Sequence, residues 1–195
     1  MSSLRTVPWA DGRWTTAPVS AVDEGDDLLV EAAESSDAWR HTAYGFVHED
    51  EHALLAPLAP GTAVEVTFVA DFTEQFDQAG VFVRADVETW IKAGVEHADG
   101  TPQLGAVVTI GRSDWSVGPV PDWAGREVTV RASRSGDAVT IRARVADEPF
   151  RLVRVAPFPP DADVAAGPFC CAPTRSGLVV RFRRWAVGEA DAALH

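Results

Sequence analysis

The sequence predicts an all-β fold, an antiparallel sandwich or barrel, and three observations carry that expectation. Short runs rich in Val, Ile, Thr and aromatic residues recur along the chain. Clusters of turn residues separate them. No segment has the length and periodicity of an amphipathic helix, several of which a βαβ series would need.

Strands are expected at residues 28–33, 39–47, 64–71, 79–86, 89–96, 104–110, 128–134, 138–145, 151–156 and 178–185. Reversals are expected at residues 24–27, 57–61, 99–102, 118–122, 135–137, 157–163 and 174–177, where Gly, Pro, Asp and Ser collect. The clearest hairpin is RASRSGDAVTIR, in which Ser135, Gly136 and Asp137 reverse the chain. It turns Val128, Val130, Ala132, Val139, Ile141 and Ala143 inward, with Glu127, Thr129, Arg131, Thr140, Arg142 and Arg144 outward.

A chain of 195 residues fits one domain, expected over residues 1–187, with the tail 188–195 (GEADAALH) fraying. The net charge of −12 excludes a basic nucleic-acid surface and disfavours an anionic membrane. The start, MSSLRTVPWADGRW, holds no apolar run resembling a signal peptide, and no window approaches a membrane span. Cys170 and Cys171 are adjacent, so they cannot staple distant segments, and two reduced thiols are expected. These features predict a soluble cytoplasmic protein.

The most informative stretch is QAGVFVRADVETWIKAGVE, residues 78–96. Counted by twos, Ala79, Val81, Val83, Ala85, Ile91, Ala93 and Val95 form one face, a sheet core. Gly80, Phe82, Arg84, Asp86, Trp90, Lys92, Gly94 and Glu96 form the other. Segregation across a hairpin requires an odd loop. A loop over residues 87–89 would place Asp86 opposite Trp90, Arg84 opposite Lys92, Phe82 opposite Gly94 and Gly80 opposite Glu96. Arg84 and Lys92 would then be opposed like charges, which a carboxylate or a ligand must relieve. Lys92 is the only lysine in the chain. The bland alternative is an ordinary salt-bridge ladder on a wet sheet, but such a ladder rarely recruits Trp90 and Phe82.

Further groups converge on this face. The segment 111–123 (GRSDWSVGPVPDW) reads as a turn-rich loop that could bring Asp114 and Trp115 over it, or merely seal a sandwich edge with its tryptophans. Tyr44, the single tyrosine, lies in WRHTAYGF and is read first as packing. Asp71 and Gln78 bound an acidic loop, DFTEQFDQ, that lacks EF-hand spacing. His41, His48 and His52 lack the companion spacing of a metal site. No metal or cofactor is called for.

WRHTAYGF, ADFTEQFDQAGVFVRADVETWIKAGVE, SDWS and GPFCCAP, in that order, resemble the DUF1349 family over residues 39–185. That family includes the yeast regulator-of-enolase proteins and belongs to the concanavalin A-like lectin/glucanase superfamily. The resemblance implies a jelly-roll β-sandwich of two antiparallel sheets whose concave face is a carbohydrate groove. Arg84, Trp90, Lys92 and Glu96 fall on the family motif there. Related glucanases carry a Glu-x-Asp-x-Glu strand; residues 90–96 here offer only Glu96, and Asp71, Asp86 or Asp114 would have to supply a second carboxylate.

Three readings follow. The first is a non-catalytic, lectin-like module for a small carbohydrate or polar metabolite, using Arg84, Trp90, Lys92, Glu96, Asp114, Trp115, Tyr44, Asp71 and Gln78. The second is a protein partner that regulates a metabolic enzyme. The third is a glycoside hydrolase or lyase.

Overall fold

The computed structural model describes residues 4–194. Met1 to Ser3, and His195 of the expected tail, lie outside the described residues. In chain order the strands are β1 (Arg5–Thr6), β2 (Arg13–Trp14), β3 (Ser20–Glu24), β4 (Asp27–Glu31), β5 (Ala38–Arg40), β6 (Val47–Glu49), β7 (His52–Pro57), β8 (Thr62–Val69) and β9 (Gln78–Arg84). They continue with β10 (Thr89–Ala98), β11 (Thr101–Ile110), β12 (Arg112–Pro119), β13 (Glu127–Ser135), β14 (Ala138–Val145), β15 (Arg151–Pro157), β16 (Ala165–Cys171) and β17 (Val179–Glu189).

Two antiparallel sheets result. One has the order β15-β14-β13-β8-β17-β4-β3, with β1 also on β17; the other runs β12-β11-β10-β9-β16-β7-β2. Their facing sides bury the main core, in which Val64, Val66 and Phe68 of β8 meet Val81 and Val83 of β9 and Ile91, Ala93 and Val95 of β10. Alternation of side chains along each strand produces this segregation. The hairpin over residues 128–145 is as expected, with Val130 opposite Ala143 and Ala132 opposite Ile141, all fully buried. Among the described residues no helix is long and apolar enough to cross a membrane.

Several expectations need correction. The run 39–47 is not one strand. It breaks into β5 and β6 around a loop with positive φ at His41, Ala43 and Gly45, and this small hairpin folds onto the second sheet. Segment 111–123 is mainly the edge strand β12 rather than a loop. The strands β7 and β16 were unforeseen because HALLAP and AAGPFCC carry little β-branched signal; burial, not propensity, holds them in place. Strand β17 runs to Glu189, and Asp191 accepts from Arg131 and Arg142.

The register of β9 on β10 differs from expectation as well. Arg84 opposes Trp90, Phe82 opposes Lys92, Gly80 opposes Gly94, and Gln78 opposes Glu96. Residues 85–89 join the outermost pair, so the odd parity holds, but the loop is longer than the expected 87–89. The amides of Ala85 and Asp86 both bond the Thr89 carbonyl, at 2.9 and 3.3 Å, and this widens it. Arg84 and Lys92 are therefore not opposed.

Candidate functional site

The second sheet is covered on both sides. On the face turned away from the first sheet, Phe82, Trp90, Val107, Phe169 and Cys171 form a smaller core with Ala38 and Trp39 of the β5–β6 hairpin. A row of small residues crosses this face, with Gly80 opposite Gly94 and Gly94 opposite Gly105. A Cβ on Gly94 would lie 2.0 Å from the Ala79 carbonyl oxygen, so the strands there tolerate nothing larger. Beside that bare row lies a cavity of about 420 Å³, inside the range of roughly 300–1,000 Å³ usual for small-molecule sites.

Its polar floor comes from four residues, Asp37, Gln78, Lys92 and Glu96. Lys92 is buried, and its Nζ donates to Asp37 Oδ1 at 2.6 Å. Burial alone would lower the Lys92 pKa; the Asp37 charge, with a contribution from Glu96, outweighs it and holds the ammonium above its ordinary value. Asp37 Oδ1 also accepts from the Ala38 amide at 2.8 Å, which fixes the carboxylate immediately before β5. Gln78 Nε2 donates to the Phe76 carbonyl at 3.1 Å.

Glu96 stands apart. Its Oε1 is buried and has no hydrogen-bond partner. Burial raises its pKa from the ordinary 4.5 to about 7, with Lys92 opposing the shift and Asp37 adding to it. A buried acceptor without a donor is costly, and such orphans mark places where something else binds.

The walls are aromatic. Tyr44 stacks on Phe46 with ring centroids 5.3 Å apart, Phe46 meets His48 edge-on at 4.9 Å, and Tyr44 meets Trp39 edge-on at 5.6 Å. Trp115 closes the side from β12, and Phe76 closes the end. Phe76 has a φ of 67°, a region that bulky residues rarely occupy. Its neighbour Asp77 holds it there: this fully buried carboxylate takes a bidentate contact from Arg175 and caps the amides of Thr73 and Glu74. Arg40 ties down the covering hairpin. It is buried, pairs with Glu49 and with Glu88 of the β9–β10 loop, and its amide donates to Ser113 Oγ at 2.9 Å.

Of the residues expected at the site, Tyr44, Gln78, Lys92, Glu96 and Trp115 line this cavity together. The others do not. Trp90 is 3% exposed and stacked on Phe82 at 5.4 Å, so it is packing beneath the hairpin rather than a rim. Arg84 lies at the other end of β9, 3.7 Å from the buried Glu51, and lines a separate open cleft. Asp114 points the opposite way from Trp115, as alternation along β12 requires, and pairs with Arg154 at 2.9 Å. Asp71 is exposed and does not line the cavity. Asp86 caps the Glu88 amide in the β9–β10 loop. None of these three aspartates joins Glu96. His52 is a satisfied core residue, accepting from the Ala33 amide and facing the Thr16 carbonyl. Among the described residues no cluster of His, Cys, Asp or Glu could hold a metal ion.

Sequence reasoning missed Asp37, Phe46, Phe76 and Thr174. One signal pointed to Asp37: a single lysine on a half-buried strand needs an acid. Nothing in chain order says that the acid lies 55 residues upstream.

The fold and site together define a concanavalin A-like β-sandwich with a roofed polar cavity on one outer face. The chain belongs to the DUF1349 family, described as proteins of unknown function, whose profile matches residues 14–190. It is 34% identical over 187 residues to "Regulation of enolase protein 1" of Saccharomyces cerevisiae, covering 96% of this chain and 94% of that one. A crystal structure of a functionally unknown protein from Saccharomyces cerevisiae superposes with a TM-score of 0.89 at 32% identity, over 96% of this chain and all of that one. A GH43 protein from Bacillus licheniformis superposes with a TM-score of 0.70 at 10% identity, over 92% of this chain but 37% of its own length. That likeness to a carbohydrate-active enzyme shows the fold alone.

Proposed function

We propose that this chain is a lectin-like binding module for a small carbohydrate or similar hydroxylated metabolite, held in the cavity between β10 and the β5–β6 hairpin. The observation that carries the reading is the unpartnered Glu96 Oε1 on the floor of an aromatic-walled cavity. A polyol offers what the site lacks: a hydroxyl to donate to Glu96, and a weakly polar ring face to lie against Tyr44, Phe46 or Trp115. Lys92 and Gln78 orient the remaining hydroxyls. A cytoplasmic place of action belongs to the same proposal.

Calorimetry against a panel of monosaccharides and short oligosaccharides tests it. Binding is expected, and Trp115→Ala is expected to abolish it without changing the melting temperature. Trp115 is 39% exposed, so its truncation opens no core cavity. No heat from any sugar would remove the reading.

A second reading is favoured by one observation, the exposed rim of Tyr44, Phe46 and Val47, which are 60%, 43% and 41% exposed. Together with the relative named for regulating enolase, it supports docking on a metabolic enzyme. Purified enolase that fails to co-elute with the chain, or co-elutes equally with Phe46→Ser, would dispose of it.

A further inference from the structure

We infer that the ligand of this cavity carries a primary ammonium and sets it against Glu96, so that an amino sugar or an amino-polyol of similar size is the class it takes. The inference rests on the reading of the cavity as a ligand site and sharpens it.

Charge balance is the first argument. Other buried carboxylates of this chain are each matched by a guanidinium: Asp77 by Arg175, Glu65 by Arg131, Asp27 by Arg181 and Arg183, and Glu51 by Arg84. Glu96 has no such partner, and its Oε1 makes no hydrogen bond. The one cation nearby is committed elsewhere, because Lys92 Nζ holds Asp37 Oδ1 at 2.6 Å. Two carboxylates share one ammonium. His48 also lines the cavity, and its ring faces Asp50 at 3.5 Å. The floor therefore sets two carboxylates against one ammonium and leaves Glu96 Oε1 without a donor.

The walls reinforce the choice. Tyr44, Phe46, Phe76 and Trp115 line the space above the floor, and the face of an aromatic ring is its electron-rich side. Ring faces attract a cation in a way that they do not attract a neutral hydroxyl. A neutral sugar can still donate to the Glu96 carboxylate, but an ammonium adds the Coulomb attraction of a full opposite charge to the same hydrogen bond. A sugar acid or phosphate would set a further negative charge beside the two carboxylates, inside a protein whose net charge of −12 already repels anions.

The test is calorimetry at pH 7.5 with glucosamine and galactosamine, their parent sugars glucose and galactose, N-acetylglucosamine, and glucuronate. The amino sugars are expected to bind at least tenfold more tightly than their parents, N-acetylglucosamine to lose the advantage, and glucuronate to bind most weakly. Glu96→Gln is expected to bring amino sugar and parent sugar to within about threefold of each other, because the amino sugar loses more affinity than its parent does. A carbon-13 titration of the Glu96 carboxyl, near pH 7 in the free protein, is expected to move downward when glucosamine is added. Parent sugars that bind as tightly as the amines, or a preference for glucuronate, would overturn the inference and leave the cavity a binding site. Silence from every probe would overturn the binding-site reading and this inference with it.

Discussion

Lys92 Nζ and Asp37 Oδ1, 2.6 Å apart, join the floor of the cavity to the hairpin that roofs it. The lysine is 4% exposed and comes from the middle of a central strand; the aspartate immediately precedes β5. Asp37→Ala would leave an ammonium buried without its partner, and breaking such pairs costs about 3–5 kcal/mol. The Asp37 side chain retains 21% exposure, so water can reach the gap and the lower end is expected. A lowered urea midpoint with an unchanged slope is the readout. The double variant Lys92→Met with Asp37→Asn should recover much of the loss, since it removes the stranded charge.

Glu96 gives stability a particular pH dependence. Its carboxyl is raised from 4.5 to about 7 by burial, so the folded state binds a proton more tightly than the unfolded state does. Its contribution is complete below pH 4.5, declines as pH rises, and is gone above about 7. That displacement corresponds to on the order of 3 kcal/mol. Glu51 is shifted in the same direction, so the wild-type profile alone does not isolate Glu96. The difference between wild type and Glu96→Gln does: the variant should gain on the wild type between pH 5 and 8. Denaturation midpoints that run parallel across that range would contradict this.

Gly94 tests the bare row across the sheet. Its neighbours Gly80 and Gly105 flank it on adjacent strands, and a methyl group would meet the Ala79 carbonyl oxygen at 2.0 Å. Backbone must move to admit it, and overpacking of this kind costs about 1–3 kcal/mol. Gly94→Ala should therefore lower the melting temperature. Gly136→Ala, in the β13–β14 turn where a Cβ meets nothing within 4 Å, strains only a local φ of 59° and should leave the site intact.

How legible was this in the sequence? Alternation made the inner faces of β9 and β10 readable, because Val81, Val83, Ile91 and Val95 announce a period of two. The same alternation correctly put Trp90, Lys92 and Glu96 on one side. It could not say that the β5–β6 hairpin would cover that side, since the positive φ values at His41 and Ala43 are set by packing and leave no mark in WRHTAYGF. Covered by Trp39, Trp90 became core, and Asp37 arrived as the partner of Lys92. Asp114 was misplaced for a simpler reason. Once residues 112–119 form a strand, neighbouring side chains must point apart, and Asp114 and Trp115 cannot serve one site.

Arg40 is the last of these tests, because it separates the roof from the fold. Its guanidinium reaches both Glu49 within the hairpin and Glu88 across on the β9–β10 loop. Both carboxylates are substantially exposed, at 46% and 60%, so they can be solvated when Arg40 is removed. Exposed partners make weak ion pairs, and Arg40→Ala should lower global stability by only about 1 kcal/mol. The local effect should be larger. The β5–β6 hairpin touches the sheet through few side chains, and segments of that kind open below the global free energy. Amide exchange is expected to accelerate at residues 38–49 and to stay unchanged in β8, β13 and β17. If the cavity needs its roof, ligand affinity should fall together with that protection. Exchange that speeds uniformly through both sheets would show instead that the hairpin and the sandwich unfold as one unit.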